Sequence, residues 1–135
     1  MDHIYRGDRL VTTAGVAERD GRFFLAQRKR GGAQSMRWEF PGGKCDQADG
    51  SEASCLQREF REEFGVTIDV GREIGSIPFE HGQIRYMLVG YEISFRSDPT
   101  TLHEHLASGW FTVPEMLDLD LADSDRTLIE YALAP

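Results

Sequence analysis

Arg58, Glu59, Arg61, Glu62 and Glu63 crowd five charges into six residues, and three of the five are carboxylates. The stretch that carries them, Ser51 to Phe64, reads as one helix. Ser51 is placed to cap its start, and Gly65 to close it in a left-handed turn. Ala53, Leu56, Phe60 and Phe64 recur at the spacing of one buried stripe. At about 100° per residue, Glu59 and Glu63 lie about 40° apart, and Glu62 lies about 60° from Glu59 on its other side. The three carboxylates therefore share one sector, with Glu59 and Glu63 bordering the apolar stripe. Two carboxylates about 6 Å apart repel by roughly 2–3 kcal/mol at an effective dielectric near 20. A divalent cation would turn that repulsion into attraction, and hard oxygen ligands suit magnesium or manganese. A solvated acidic face balanced by Arg58 and Arg61 would show the same pattern. The turn upstream weighs for the metal: Gly42-Gly43 lets the backbone approach a ligand closely, so a glycine carbonyl can complete the site.

The elements that must position these groups follow from patterning. Residues 9–18 and 22–28 are β-rich and flank Asp20-Gly21, a hairpin signal. A basic segment, Arg28 to Gly32, precedes the short apolar piece Trp38-Glu39-Phe40 and the turn Pro41-Gly42-Gly43. Beyond the helix, strands are expected at 66–78 and 84–95, with a turn at 80–83 between them. Residues 97–107 read as a loop, 108–113 as a short strand, and 114–118 and 123–133 as short helices. Strands interleaved with helices predict an α/β layered domain.

Composition bounds the function. The chain has 135 residues and a net charge of −8, which suits one domain over 1–135. The acidic balance argues against nucleic-acid binding, which relies on neutralising phosphates with a basic face. No apolar run approaches the ~20 residues of a membrane span, and the polar start reads as no signal peptide. A cytoplasmic protein is expected, with no membrane partner. Cys45 and Cys55 are too few for a disulfide framework and lack zinc-site spacing. Cys55 reads as a small packing residue of the helix and Cys45 as a modifiable thiol beside the glycine turn.

These residues resemble the signature of the Nudix hydrolases, G-x5-E-x7-R-E-U-x-E-E-x-G-U, where U is apolar. Gly43, Arg58, Glu59, Phe60, Glu62, Glu63, Gly65 and Val66 fill eight of its nine fixed slots. There are two departures. Residues 44–57 number 14 where the signature has 13, and the early glutamate slot falls on Asp49 or Gly50. Either Asp49 substitutes for it, or Glu52 reaches the same ridge, projecting within about 20° of Glu59 and Glu63. Trp38 to Lys44 is similar to the segment leading into the signature in MutT-like nucleoside triphosphate pyrophosphohydrolases. Leu121 to Arg126 is similar to the stretch that carries their base-reading residue. Glu104, six residues before Trp110, matches an acidic residue that reaches the metal from a loop.

The resemblance implies an α/β/α sandwich around a mixed sheet and hydrolysis of a nucleoside diphosphate linked to X. In the MutT-like subgroup, water attacks a triphosphate to give a monophosphate and pyrophosphate. The metal, Mg2+ or Mn2+, is assigned to Glu59, Glu63 and the Gly43 carbonyl, with Glu62 and Glu104 in the same cluster. Glu59 or Glu104 is the general base, and Arg58 orients the glutamates. Arg28 is expected to meet phosphate, with Lys29 and Arg30 solvated. Glu39, Phe40 and Asp125 are expected to bind the rest of the substrate. An ionised Asp125 would favour a donor-rich edge such as cytosine's amine, whereas a protonated one would not be so restricted. Asp125 also suits a charge at a helix N-terminus.

The substrates in view are CTP, dCTP or 8-oxo-dGTP. A nucleotide sugar is the second enzymatic reading, and a non-catalytic nucleotide sensor is a reading of another class. The protein is expected to be a monomer or homodimer. His81, His103 and His105 show no clear ligand spacing; His103-x-His105 on a loop could bind metal, and solvated side chains are the expectation.

Overall fold

Two long strands running side by side organise the chain. The computed structural model describes residues 2–32 and 34–134. Strand β1 (Tyr5–Arg6) leads into β2 (Arg9–Arg19), which turns through Asp20-Gly21 into β3 (Arg22–Arg28). A two-residue strand, β4 (Trp38–Glu39), precedes helix α1 (Glu52–Phe64). Strands β5 (Ile68–His81) and β6 (Ile84–Phe95) follow as a long hairpin, then β7 (His105–Phe111), α2 (Val113–Leu117) and α3 (Asp123–Ala132). The central order is β4-β3-β2-β6-β5, with β1 on β2 and β7 on β3. Strands β2 and β6 are parallel, Leu10 opposite Tyr86 through Ala17 opposite Ile93. The β2–β3, β3–β4, β3–β7 and β5–β6 pairs are antiparallel, so the sheet is mixed.

The alternation of β3 places helices on both faces. Phe23 and Leu25 pack with Met116, Leu128 and Ile129, the layer of α2 and α3. Phe24 and Ala26 pack with Leu56, Phe60 and Phe64 of α1. Burying the sheet on both sides gives the expected α/β/α sandwich.

The ends of α1 are as expected. Ser51 accepts a hydrogen bond from the Ser54 amide at 3.1 Å, and Gly65 closes the helix at φ 67°.

Other boundaries differ. β5 continues to His81, so the turn shortens, and β7 begins at His105 rather than 108. The pair Tyr5–Arg6 is a strand the sequence reading lacks. Strands this short carry no periodicity of their own and exist because a longer neighbour offers hydrogen bonds.

β2 and β3 pair only near the hairpin, at Glu18–Phe23 and Arg19–Arg22. Farther along, the segment around Pro41-Gly42-Gly43 takes the place beside β2. The Gly15 amide donates to Pro41 O at 2.8 Å, Thr13 to Gly43 O at 2.8 Å, and Cys45 to Val11 O at 3.1 Å. Only glycine fits at 42, because a Cβ there would lie 2.0 Å from the Thr13 carbonyl.

Candidate active site

Helix α1 brings its carboxylates against this glycine segment. Glu63 is buried and Glu59 half-buried, both on the edge of the apolar stripe. A Cβ on Gly43 would lie 2.6 Å from the Glu59 carboxyl carbon, so the glycine leaves a cradle that any other side chain would fill. With Glu104 and Glu39 they line a cleft of about 410 Å3, whose other walls include Arg28, Lys29 and Arg30. Lys29 and Arg30, expected to be solvated, therefore stand at the cleft.

Electrostatics mark the pair as waiting for positive charge. Burial pushes Glu63 well above the usual carboxylate range, reinforced by Glu59, Glu39 and Glu104. Burial also raises Glu59, opposed by Arg58. One oxygen of Glu63, Oε1, is buried without a hydrogen-bond partner among the described residues. An oxygen-rich cradle with an orphaned buried carboxylate oxygen fits a hard divalent cation.

Two expectations are refined by geometry. The Gly43 carbonyl is already engaged, accepting from the Thr13 amide at 2.8 Å and the Thr13 hydroxyl at 3.3 Å. Carbonyls alternate along an extended chain, so Gly42's carbonyl faces the other side from those of Pro41 and Gly43. Glu62 is exposed, pairs with Arg58 at 3.2 Å, and does not line the cleft.

Arg58 grips Asp49 with two bonds, 2.6 and 2.9 Å, and also reaches Glu59 at 3.1 Å. Asp49 is held below its ordinary pKa chiefly by that guanidinium. The alternative residue, Glu52, is turned elsewhere. It accepts from Arg6 at 2.7 and 2.8 Å and from the Tyr91 hydroxyl at 2.6 Å. Burial works against its charge, yet these bonds hold it below the ordinary glutamate value. The loop carrying the extra residue closes through a short 3-10 turn, Gln47–Asp49, which presents Asp49 to Arg58.

A second, partly shared cavity of about 570 Å3 extends between β5, β6 and the start of α3. Phe40, Phe79, Tyr86 and Leu88 give it apolar walls, and Asp125 a buried polar one. Asp125 accepts from the Phe40 amide at 2.8 Å. Burial, reinforced by the Glu39 charge, pushes its pKa up to about 8. Glu80 and His81 also line this cavity; the sequence reading missed them, since they fell in its expected turn.

Three further residues differ from the sequence expectation. His105 is buried rather than solvated, with Nε2 at 2.9 Å from Glu39 and 3.7 Å from Glu63. These three could by themselves hold an ion. Their proximity arises from β4, α1 and β7 meeting, which spacing along the chain does not reveal. Cys45 and Cys55 form a disulfide with Cα atoms 5.3 Å apart, tying the glycine segment to α1. Pairing of the strands lays Cys45 over the first turn of the helix, so neither is a free thiol.

A mixed sheet between helices, with a glycine segment laid against a carboxylate helix, is the frame on which the family match below makes this chain a hydrolase of phosphoric anhydride bonds. The NUDIX domain family model matches residues 8–132, and the chain belongs to that family. It is 37% identical over 126 residues to the CTP pyrophosphohydrolase of Escherichia coli, covering 93% of this chain and 92% of that protein. The solution structure of the E. coli ORF135 protein superposes with a TM-score of 0.82 at 34% identity, covering 92% of this chain and 88% of the other. A MutT NUDIX hydrolase from Burkholderia pseudomallei superposes at 0.75 with 25% identity, covering 91% and 97%. No helix among the described residues is long and apolar enough to cross a membrane.

Proposed function

We propose that the protein hydrolyses a nucleoside triphosphate to the monophosphate and pyrophosphate, with Mg2+ as the working cation and Mn2+ able to replace it. The observation that carries this is the pair of buried Glu63 and half-buried Glu59 facing glycine backbone, beside the cationic wall of Arg28, Lys29 and Arg30. Glu59, Glu63 and a glycine carbonyl would hold the ion. The engaged Gly43 oxygen makes Gly42 the better donor. When bound, the ion would supply charge neutralisation for phosphoryl oxygens and would lower the pKa of the attacking water. Glu62, paired with Arg58 outside the cleft, keeps at most a place at the rim of this cluster.

The chain's own groups do the remainder. Arg28 meets the phosphates and is steered by Glu39, 3.3 Å away. Glu104, exposed and lining the cleft, accepts the proton of the attacking water as its oxygen bonds to phosphorus and the bond to pyrophosphate breaks. Glu59 is the alternative base. Arg58, fixed on Asp49, orients Glu59.

In the second cavity, Phe40 packs on the base and Asp125 reads its edge. A carboxyl raised to about 8 is protonated at neutral pH, so it donates as well as accepts. That pattern suits the amine and ring nitrogen of cytosine, and the likeness to a CTP pyrophosphohydrolase makes CTP or dCTP the first substrate to test. The same donor–acceptor pair also suits a guanine edge, which keeps 8-oxo-dGTP as the second. This reading places the enzyme in the cytoplasm, on free nucleotides rather than nucleic acid.

The test is product analysis on ribo-, deoxy- and oxidised triphosphates and nucleotide sugars, with and without Mg2+. Monophosphate and pyrophosphate from a cytidine triphosphate are expected. Cleavage confined to nucleotide sugars would overturn the substrate class, and binding without turnover would make the protein a sensor.

A further inference from the structure

His105 is a buried polar side chain of β7 at the place where the carboxylate helix meets β3 and β4. It opens β7 opposite Arg28, next to a register shift between Gln27 and Arg28 that sets it apart from the regular ladder. Its ring lies parallel to Phe64, 5.4 Å between centroids. The Nε2 atom is 2.9 Å from Glu39 Oε2 and 3.7 Å from Glu63 Oε1. The other oxygen of Glu39 faces Arg28 at 3.3 Å. A chain of contacts thus runs from Phe64 through His105 and Glu39 to Arg28, with Glu63 beside it.

An ionised carboxylate only accepts hydrogen bonds, so the nitrogen facing Glu39 must carry the proton. That single N–H does two things. It fixes Glu39, and through it the guanidinium of Arg28. It also places a positive dipole between two carboxylates, Glu39 and Glu63, that would otherwise repel. Ring nitrogens that orient ion-binding carboxylates from behind are effective because they remove rotational freedom before the ligand arrives.

We propose that His105 is a positioning residue of this active site, acting through its hydrogen bond to Glu39 on Arg28, and keeping Glu63 in place by close packing and the field of its N–H rather than by a hydrogen bond. The part concerning Arg28 rests on the triphosphate reading above; the part concerning Glu63 does not.

His105→Phe keeps a ring against Phe64 and deletes the donor, whereas His105→Gln restores an N–H where Nε2 lies. Each variant would be compared with the wild type by melting temperature, by Mn2+ titration of the metal-free protein followed by electron paramagnetic resonance, and by kcat and KM on the best triphosphate. For His105→Phe we expect a near-native melt, Mn2+ binding weaker by about tenfold, and a KM raised by about tenfold, the effect of losing a partner behind a ligand. His105→Gln should recover most of both. Unchanged Mn2+ affinity in His105→Phe, or equal defects in the two variants, would overturn the proposal. If the wild type cleaves no triphosphate, the substrate reading fails, and the Mn2+ comparison still decides the role of His105.

Discussion

The two cavities share Arg28, Glu39 and the glycine segment, yet they are built on opposite physics. The first is a charged crevice, with buried carboxylates on one wall and cations on the other. It suits phosphate and a metal ion, which every nucleotide substrate brings alike. The second is walled by Phe40, Phe79, Tyr86 and Leu88, with one buried acid among them. It suits a flat, partly apolar ring. On the function proposed above, chemistry belongs to one half and choice to the other, and damage to each should be separable. Uniform loss across substrates is the mark of the first, and reordering among substrates the mark of the second.

The sharpest break should come from the carboxylates. Glu59→Gln or Glu63→Gln is expected to lower kcat/KM by at least ~100-fold on every substrate, since a metal-site ligand carries transition-state charge. Folding should survive, because Gln removes a buried charge that burial already disfavours. Chemical melts in parallel with the kinetics check this, and equal losses in both would make the glutamates structural.

The disulfide should matter next. Closing a ten-residue separation restricts the unfolded chain, so Cys45→Ser with Cys55→Ser, or reduction, should cost about 2–3 kcal/mol of stability in urea melts. Because it anchors the shared glycine segment to α1, turnover should fall without any change in base ranking. A reordered ranking would show that the two halves are not separable at that segment.

Asp125 tests the second half: a protonated carboxyl and an amide both donate and accept, so Asp125→Asn should keep the ranking of cytidine and guanine substrates within a few-fold at neutral pH, whereas Asp125→Ala should shift their ratio by about tenfold and leave the best rate within a few-fold. It also carries a pH signature. The folded pKa of Asp125, about 8, lies above its unfolded value, so folding takes up a proton between them. Its contribution to stability is therefore present at acid pH and is lost as pH rises towards 8. Asp125→Asn should abolish that loss, melting above the wild type at pH 8 and close to it near pH 4–5. Identical pH profiles for the two would remove the buried-acid assignment.

The smallest effect concerns the loop. Asp49→Asn weakens the grip on Arg58 and should cost about 1 kcal/mol, since the lost charge assistance is partly screened and the amide oxygen still accepts. The wild-type contribution holds above the unfolded pKa of the carboxyl and disappears as pH falls through its lower folded value. Urea melts at pH 7 and pH 2.5 would converge for the two proteins only at the acid end.

Much of the first half was legible along the chain. The helix was expected at 51–64 and runs Glu52–Phe64, with both expected caps in place. Spacing of three and four residues put Glu59 and Glu63 on the edge of the buried stripe, where the fold has them. The same projection could not say that Glu62 would swing out to Arg58, because that depends on side-chain partners from the loop. Nor could it choose between Asp49 and Glu52, which are separated by Arg6 and Tyr91 arriving from distant strands. The histidine expectation failed at His105 for a related reason. A loop histidine looks solvated until β7 pairs with β3 and carries it under the helix.

By itself the sequence determined the carboxylate helix, the hairpin at Asp20-Gly21, the glycine turn and the family signature. All of these depend on residues close in the chain, where helical period and backbone freedom act directly. Tertiary structure alone decided the parallel pairing of β2 with β6, the side of the glycine segment that faces the cleft, the Cys45–Cys55 link and the meeting of Glu39, Glu63 and His105. Those depend on which distant strands satisfy each other's hydrogen bonds and bury each other's apolar faces, and the energy of that choice is shared among segments that no local spacing connects.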